Sequence, residues 1–205
     1  MMQKKNRLNG KLLLIFFLLL PTTAKAEDEY RNHQFHFRLG MLNNSISGGG
    51  VSKTYSVTNT IDLEYEIFSN SKNSTVVRGI IAHDLALDRT VYDFMGIGKR
   101  FYFYSTGIAM HTSGTGFELD HVPKKRFYYG FDVGYSSGVI LVLQKTPLQT
   151  VTNMIDIGAL AGGQYQISRS NALEAQFGYS YGYGFSGVAA SAMTMRMLIG
   201  FIHSF

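Results

Sequence analysis

Three spots in the chain place a histidine beside a hydroxyl or an acid. His111-Thr112-Ser113 sets an imidazole two residues from a hydroxyl, with Glu118 and Asp120 following. A base within hydrogen-bond reach of a serine, itself oriented by a carboxylate, is how a hydroxyl becomes nucleophilic for acyl transfer. His83-Asp84 and His203-Ser204 each hold only two of those parts. No histidine pair reads as a metal-ligand pair. The chain has no cysteine, which excludes thiol nucleophiles, thiolate metal sites, disulfides and a lipid-bearing cysteine anchor. An ordinary turn is the plainer reading of Ser113, so no residue is assigned a catalytic, cofactor or metal role, and no cofactor is expected.

A second set of reactive groups is spread along the chain: Arg38, Asp62, Glu64, Glu66, Arg78, Asp132, Asp156, Glu174 and Arg196. Their meaning depends on the elements that carry them. Those elements have a period of two, not 3.6. From Asn171 to Phe185, Leu173, Ala175, Phe177, Tyr179, Tyr181, Tyr183 and Phe185 share one face, while Glu174, Gln176, Ser180 and glycines share the other. Phe35, Phe37, Leu39 and Met41 alternate with His36 and Arg38. Tyr55, Val57, Asn59, Ile61, Leu63, Tyr65 and Ile67 are expected on one face, against Asp62, Glu64 and Glu66. The same pattern recurs over 127–135 and 151–166, with turn-forming clusters such as 69–74 and 168–171 between runs.

A soluble sandwich would bury the oily faces; a membrane barrel turns them to lipid and folds the polar ones inward. The barrel is preferred for three reasons. Strand candidates reach about 11 residues or more, enough to cross a bilayer at a tilt. The polar faces are rich in glycine and poor in lysine. Tyr and Phe gather near strand ends, as in interfacial girdles.

The N-terminus accounts for the basic charge. Lys4, Lys5, Arg7 and Lys11 precede an apolar run from Leu12 to Leu20, then Pro21 and Ala24-Lys25-Ala26. This is the pattern of a cleaved export signal, and the run is too short to span a bilayer as a helix. Cleavage after Ala26 would remove five of the 19 Lys and Arg residues and none of the 14 acids, leaving 14 of each sign. A neutral mature chain without a basic stripe gives no ground for nucleic-acid binding. Residues 1–26 are therefore read as a signal peptide and 27–205 as one barrel domain.

At the other end, Met195, Met197, Ile199, Phe201, His203 and Phe205 alternate with Arg196, Leu198, Gly200, Ile202 and Ser204. This last strand resembles the C-terminal signal read by the barrel-assembly machinery, departing from it at His203. The whole segment resembles the small outer-membrane β-barrels of the OmpA/OmpX membrane-domain kind. That resemblance implies an all-β, antiparallel up-and-down transmembrane barrel of eight strands, in the outer membrane of a Gram-negative bacterium. It also implies outer-membrane lipids, lipopolysaccharide and the assembly machinery as partners, and a monomer. His111 and Ser113 match the His-x-Ser core of lipid A deacylases, but Gly114 and Thr115 depart from that motif.

The strands are expected at 33–43, 53–68, 75–87, 91–104, 126–140, 150–167, 172–185 and 191–205, with exterior loops at 44–52, 88–90, 141–149 and 186–190. Around Asp93–Phe103 neither parity is clean, and Gly96 or Gly98 is the expected bulge. Residues 105–125 form either a long periplasmic turn or, over Gly107–Asp120, a hairpin that brings the barrel to ten strands. Three functions follow. A structural or surface-interaction barrel without chemistry is preferred. A lipid-modifying enzyme would need His111 and Ser113 to meet at the rim, and a narrow channel would need ten strands and unpaired lumen charges.

Overall fold

The computed structural model describes residues 33–48, 50–86, 88–108, 110–114, 117–143, 147–186 and 190–205. The expected signal segment lies outside these. Period-two patterning yields ten strands: β1 (His33–Gly48), β2 (Val51–Asn70), β3 (Asn73–Asp84), β4 (Arg89–Tyr102), β5 (Met110–Gly114), β6 (Phe117–His121), β7 (Lys125–Leu143), β8 (Pro147–Gln166), β9 (Asn171–Ser186) and β10 (Ala190–Ser204). Eight of them close into an antiparallel barrel, β1-β2-β3-β4-β7-β8-β9-β10, with β10 pairing back onto β1. Strands β5 and β6 pair only with each other. The alternative hairpin expected within Gly107–Asp120 thus forms over β5 and β6, but it stays out of the barrel, which has eight strands and not ten.

The barrel strands run from 12 to 20 residues. At about 3.3 Å per residue and a tilt of roughly 40°, 12 residues rise about 30 Å, the thickness of a bilayer core. The longer strands therefore stand clear of it, and the expected exterior loops shrink to 49–50, 85–88, 144–146 and 187–189. The outer face of β1 changes chemistry where it leaves the lipid. Phe37, Leu39 and Met41 are exposed and apolar. Beyond them Ser45 pairs its hydroxyl with Thr54 at 2.8 Å, and Ser47 with Ser52 at 2.9 Å.

Two expectations about strand faces are corrected by bulges. The register of β1 on β2 slips between Gly40↔Thr60 and Leu42↔Val57. Thr58 and Asn59 both face outward as a result. Tyr55 and Val57 then point inward, buried, instead of sharing the outer face of Ile61 and Ile67. A bulge of this kind reverses alternation from one residue to the next. On β4 the slip lies at Val91, between Ala82↔Tyr92 and His83↔Thr90, and not at Gly96 or Gly98. From Tyr92 to Tyr102 the parity is clean, with Asp93, Met95, Ile97 and Lys99 outside. Asp93 is half-buried there and accepts hydrogen bonds from the Ser137 amide at 3.1 Å and its hydroxyl at 2.8 Å.

The turn between β2 and β3 has a local cause. The Asn70 side-chain oxygen accepts from the amides of Lys72 and Asn73, each at 2.9 Å, so the chain reverses in two residues.

Candidate functional site

The inward faces build the one concentration of ionisable chemistry among the described side chains. All nine residues expected to point inward do so and are buried. They are joined by His36, Arg100, Arg126, Tyr92, Tyr102 and Tyr128, also buried. Parity had not placed Arg100 and Tyr102, because the lipid-facing Asp93 and Lys99 blurred the pattern of β4.

Each charge meets an opposite charge or a hydrogen-bond partner. Arg38 donates through Nε to Glu174 at 2.5 Å, and through Nη1 to Asp62 at 3.2 Å and Glu64 at 3.3 Å. Arg78 donates through Nε to Asp62 at 3.1 Å and through Nη1 to Asp132 at 3.1 Å. Arg100 pairs closely with Glu64 and reaches Glu66 at 3.3 Å, while its guanidinium lies 4.4 Å over the Tyr128 ring. Arg196 donates to Asp132 at 3.1 Å. The hydroxyls complete the set: Tyr92 donates to Asp156 at 3.0 Å and Tyr102 to Glu66 at 3.0 Å.

His36 sits where the network is most acidic. Its Nε2 lies 2.9 Å from Glu66 and its Nδ1 2.9 Å from Glu174. Arg38 Nη2 lies 3.0 Å from the same Nδ1, so two donors crowd around the carboxylate they share. Six buried carboxylates face five buried arginines, and an imidazolium at His36 would be the sixth positive group. His36, Glu64 and Glu66 also offer ligand atoms within 4.8 Å of one another, a spacing a metal ion can use. Here those carboxylates already face the guanidiniums of Arg38 and Arg100. A divalent cation would have to displace those contacts, so the donor set does not suit one.

The network is closed off at both ends. Toward the end carrying His33 and Ser204, Phe68, Tyr102, Ile108, Tyr128 and Leu160 form an apolar layer. The Gly107 carbonyl beneath it is held by Gln34 at 3.1 Å and by Arg126. Toward the hairpin turns, Leu42, Tyr55, Val57, Ile80, Ala82, Val91, Tyr92 and Phe94 pack together. Ile46, Met154, Ala190 and Ala192 lie in a further cluster. Space for the long side chains comes from glycines paired with them on the adjacent strand. At Gly162 an added Cβ would overlap the Tyr128 ring, and at Gly178 it would lie 3.0 Å from Arg196 Nε. None of the ionised side chains exceeds 3% exposure, so the middle of the lumen admits no column of water.

Outside, the same strands carry Leu39, Ile61, Ile97, Phe131, Ile157, Phe177, Met197 and Ile199, each more than a third exposed. A belt of this width has no place in water and every place in lipid. The fold is that of a small outer-membrane β-barrel. Neisserial surface protein A superposes with a TM-score of 0.51 at 13% identity, over 87% of this chain and all of that one. The N-terminal barrel of Pseudomonas aeruginosa OprF superposes more loosely, with a TM-score of 0.45 at 11% identity, over 85% of this chain and 99% of its own. No protein-family model matches the sequence, and no curated protein matches it.

His111 and Ser113 lie on β5 of the outlying hairpin, opposite Asp120 and Glu118 of β6 in the register. In this outer-membrane barrel that hairpin joins β4 to β7 at the end carrying the barrel's own termini. His83 faces Asp88 at 3.6 Å in the exposed turn after β3. His203 is engaged by Asn171 at 2.8 Å and by the edge of the Phe205 ring. The structure brings none of these histidines to the lumen network. His36, the histidine at its centre, was seen in the sequence only as one polar residue among several, since its partners come from β2 and β9.

Proposed function

We infer that this outer-membrane barrel has a structural or surface-interaction role, without chemistry and without a conducting lumen. One observation carries the reading: the lumen is filled by charges that each meet an opposite charge or a hydrogen-bond partner, between apolar layers. An eight-stranded barrel has room for its own side chains and little else, and buried charges persist only when paired. The narrow channel considered from sequence needed ten strands and unpaired charges, and neither supports it. The hairpin turns at the opposite end hold four residues or fewer, so contact with other molecules falls to the projecting strand walls rather than to long loops.

The expected partners on this reading are outer-membrane lipids and lipopolysaccharide around the wall, with the assembly machinery acting on β10. Residues 1–26 serve as the export signal, so the membrane form begins at Glu27. N-terminal sequencing of protein from an outer-membrane fraction checks that start. Planar-bilayer recording tests the function. Purified barrel is expected to give no conductance steps, and loss of the gene is expected to alter envelope resistance to detergent. Regular conductance steps would overturn the reading in favour of a channel.

A further inference from the structure

The lipid-facing surface is not uniformly convex. A groove of about 760 Å³ lies on the outer wall, lined by Phe37, Leu39, Phe127, Ala175, Ile199 and Lys125 among others. Its origin can be read from the strand register. Across β1, β10, β9, β8 and β7, one row of paired outward positions is Leu39, Ile199, Ala175, Gly163 and Phe127. Two small residues in the middle of that row, with large ones at either side, make the wall concave. The next row toward the termini is Phe37, Phe201, Leu173, Tyr165 and Lys125. The groove therefore ends at a lysine, at the first residue of β7.

Lys124 adjoins it, with its ammonium 5.9 Å over the Tyr165 ring. Both lysines are exposed at this end. The surrounding rim is basic: Lys72, Lys99 and Arg169 are exposed at the same end. The described carboxylates outside the lumen, Asp84, Asp88 and Asp93, lie toward the other end. Glu118 and Asp120, on the outlying hairpin, bring acidic residues to this end as well.

We propose that this groove is a binding site for an anionic phospholipid of the leaflet nearest the barrel's termini. An acyl chain lies over Gly163 and Ala175 between Phe127 and Ile199, and the phosphate is held by Lys125 and Lys124. An apolar trough alone takes any lipid; the two lysines at its interfacial end select a net negative headgroup. Tyr165 sits where chain gives way to headgroup, as amphipathic rings do at that depth.

The test is native mass spectrometry of the full barrel in detergent, after delipidation, with phosphatidylglycerol and phosphatidylethanolamine of identical chains. Phosphatidylglycerol is expected to be retained more, by about fivefold for each lysine, the size expected of a basic side chain at an anionic lipid surface. The double variant Lys124→Gln/Lys125→Gln should erase the preference while keeping a heat-modifiable barrel. Ala175→Leu, which fills the trough from the lipid side, should lower retention of both lipids. Glycerol phosphate, the headgroup without chains, should not compete. Equal retention of the two lipids by the unaltered protein would overturn the proposal, as would unchanged retention in Ala175→Leu. Competition by glycerol phosphate would reassign the lysines to a free anion.

Discussion

Arg196 and Met197 are neighbours on β10 and meet opposite demands. Arg196 is buried, donates to Asp132 across the lumen, lies 5.8 Å over the Phe94 ring and faces a glycine at position 178. Met197 is 56% exposed on the outer wall. Arg196 has partners from β4, β7 and β9, so its identity, length and direction all matter. Met197 needs only to be apolar, because lipid chains adapt to any shape. Along every strand of the barrel, then, a position tied to particular partners alternates with one that is chemically constrained but geometrically free.

Removing a lumen charge should break this comparison hardest. Arg38→Met leaves Glu174, Asp62 and Glu64 short of a partner in a dry interior, and a loss of about 3–5 kcal/mol is expected. Urea unfolding of the barrel in lipid vesicles measures it. A loss below about 1 kcal/mol would mean that water reaches the network. On the outer wall the chemical constraint alone is tested by Met197→Lys, expected to cost about 2–4 kcal/mol near the bilayer midplane. Met197→Leu in the same assay should stay within about 0.5 kcal/mol.

Adjacent glycines sharpen the point. Gly162→Ala forces the Tyr128 ring, pinned by Glu174 and Gln176, and should cost about 1–3 kcal/mol. Gly163→Ala meets the lipid-facing Phe127 ring at 3.1 Å, which need give by only a few tenths of an ångström, and should be neutral within about 0.5 kcal/mol. Unfolding midpoints of the two variants side by side decide it. The smallest effect is expected where the wall leaves the membrane. Ser45→Ala deletes an exposed hydroxyl pair with Thr54 and should shift stability by less than about 0.5 kcal/mol in the same titration.

The architecture was legible because alternation is local: each residue's face follows from its neighbours in the chain. That is why Arg38, Asp62, Glu64, Glu66, Arg78, Asp132, Asp156, Glu174 and Arg196 could all be assigned to the interior before any contact was known. It failed where a distant strand intervened. Tyr55 and Val57 turn inward because β2 slips against β1 at Thr58–Asn59, and nothing within 51–70 announces the slip. Asp93 tolerates the outer face because Ser137, 44 residues away, supplies two hydrogen bonds. The β5–β6 segment was legible as a long turn or an extra hairpin, but whether it entered the barrel depended on β4 pairing directly with β7.

By itself the sequence determined an all-β barrel with an apolar exterior and a charged interior, since a period of two and the chemistry of each face need no partner to be read. Only the tertiary structure decided that the barrel closes at eight strands, that His36 stands between Glu66 and Glu174, and that apolar layers lie on both sides of the charges. Those outcomes depend on register, and register is settled between strands that the chain keeps far apart.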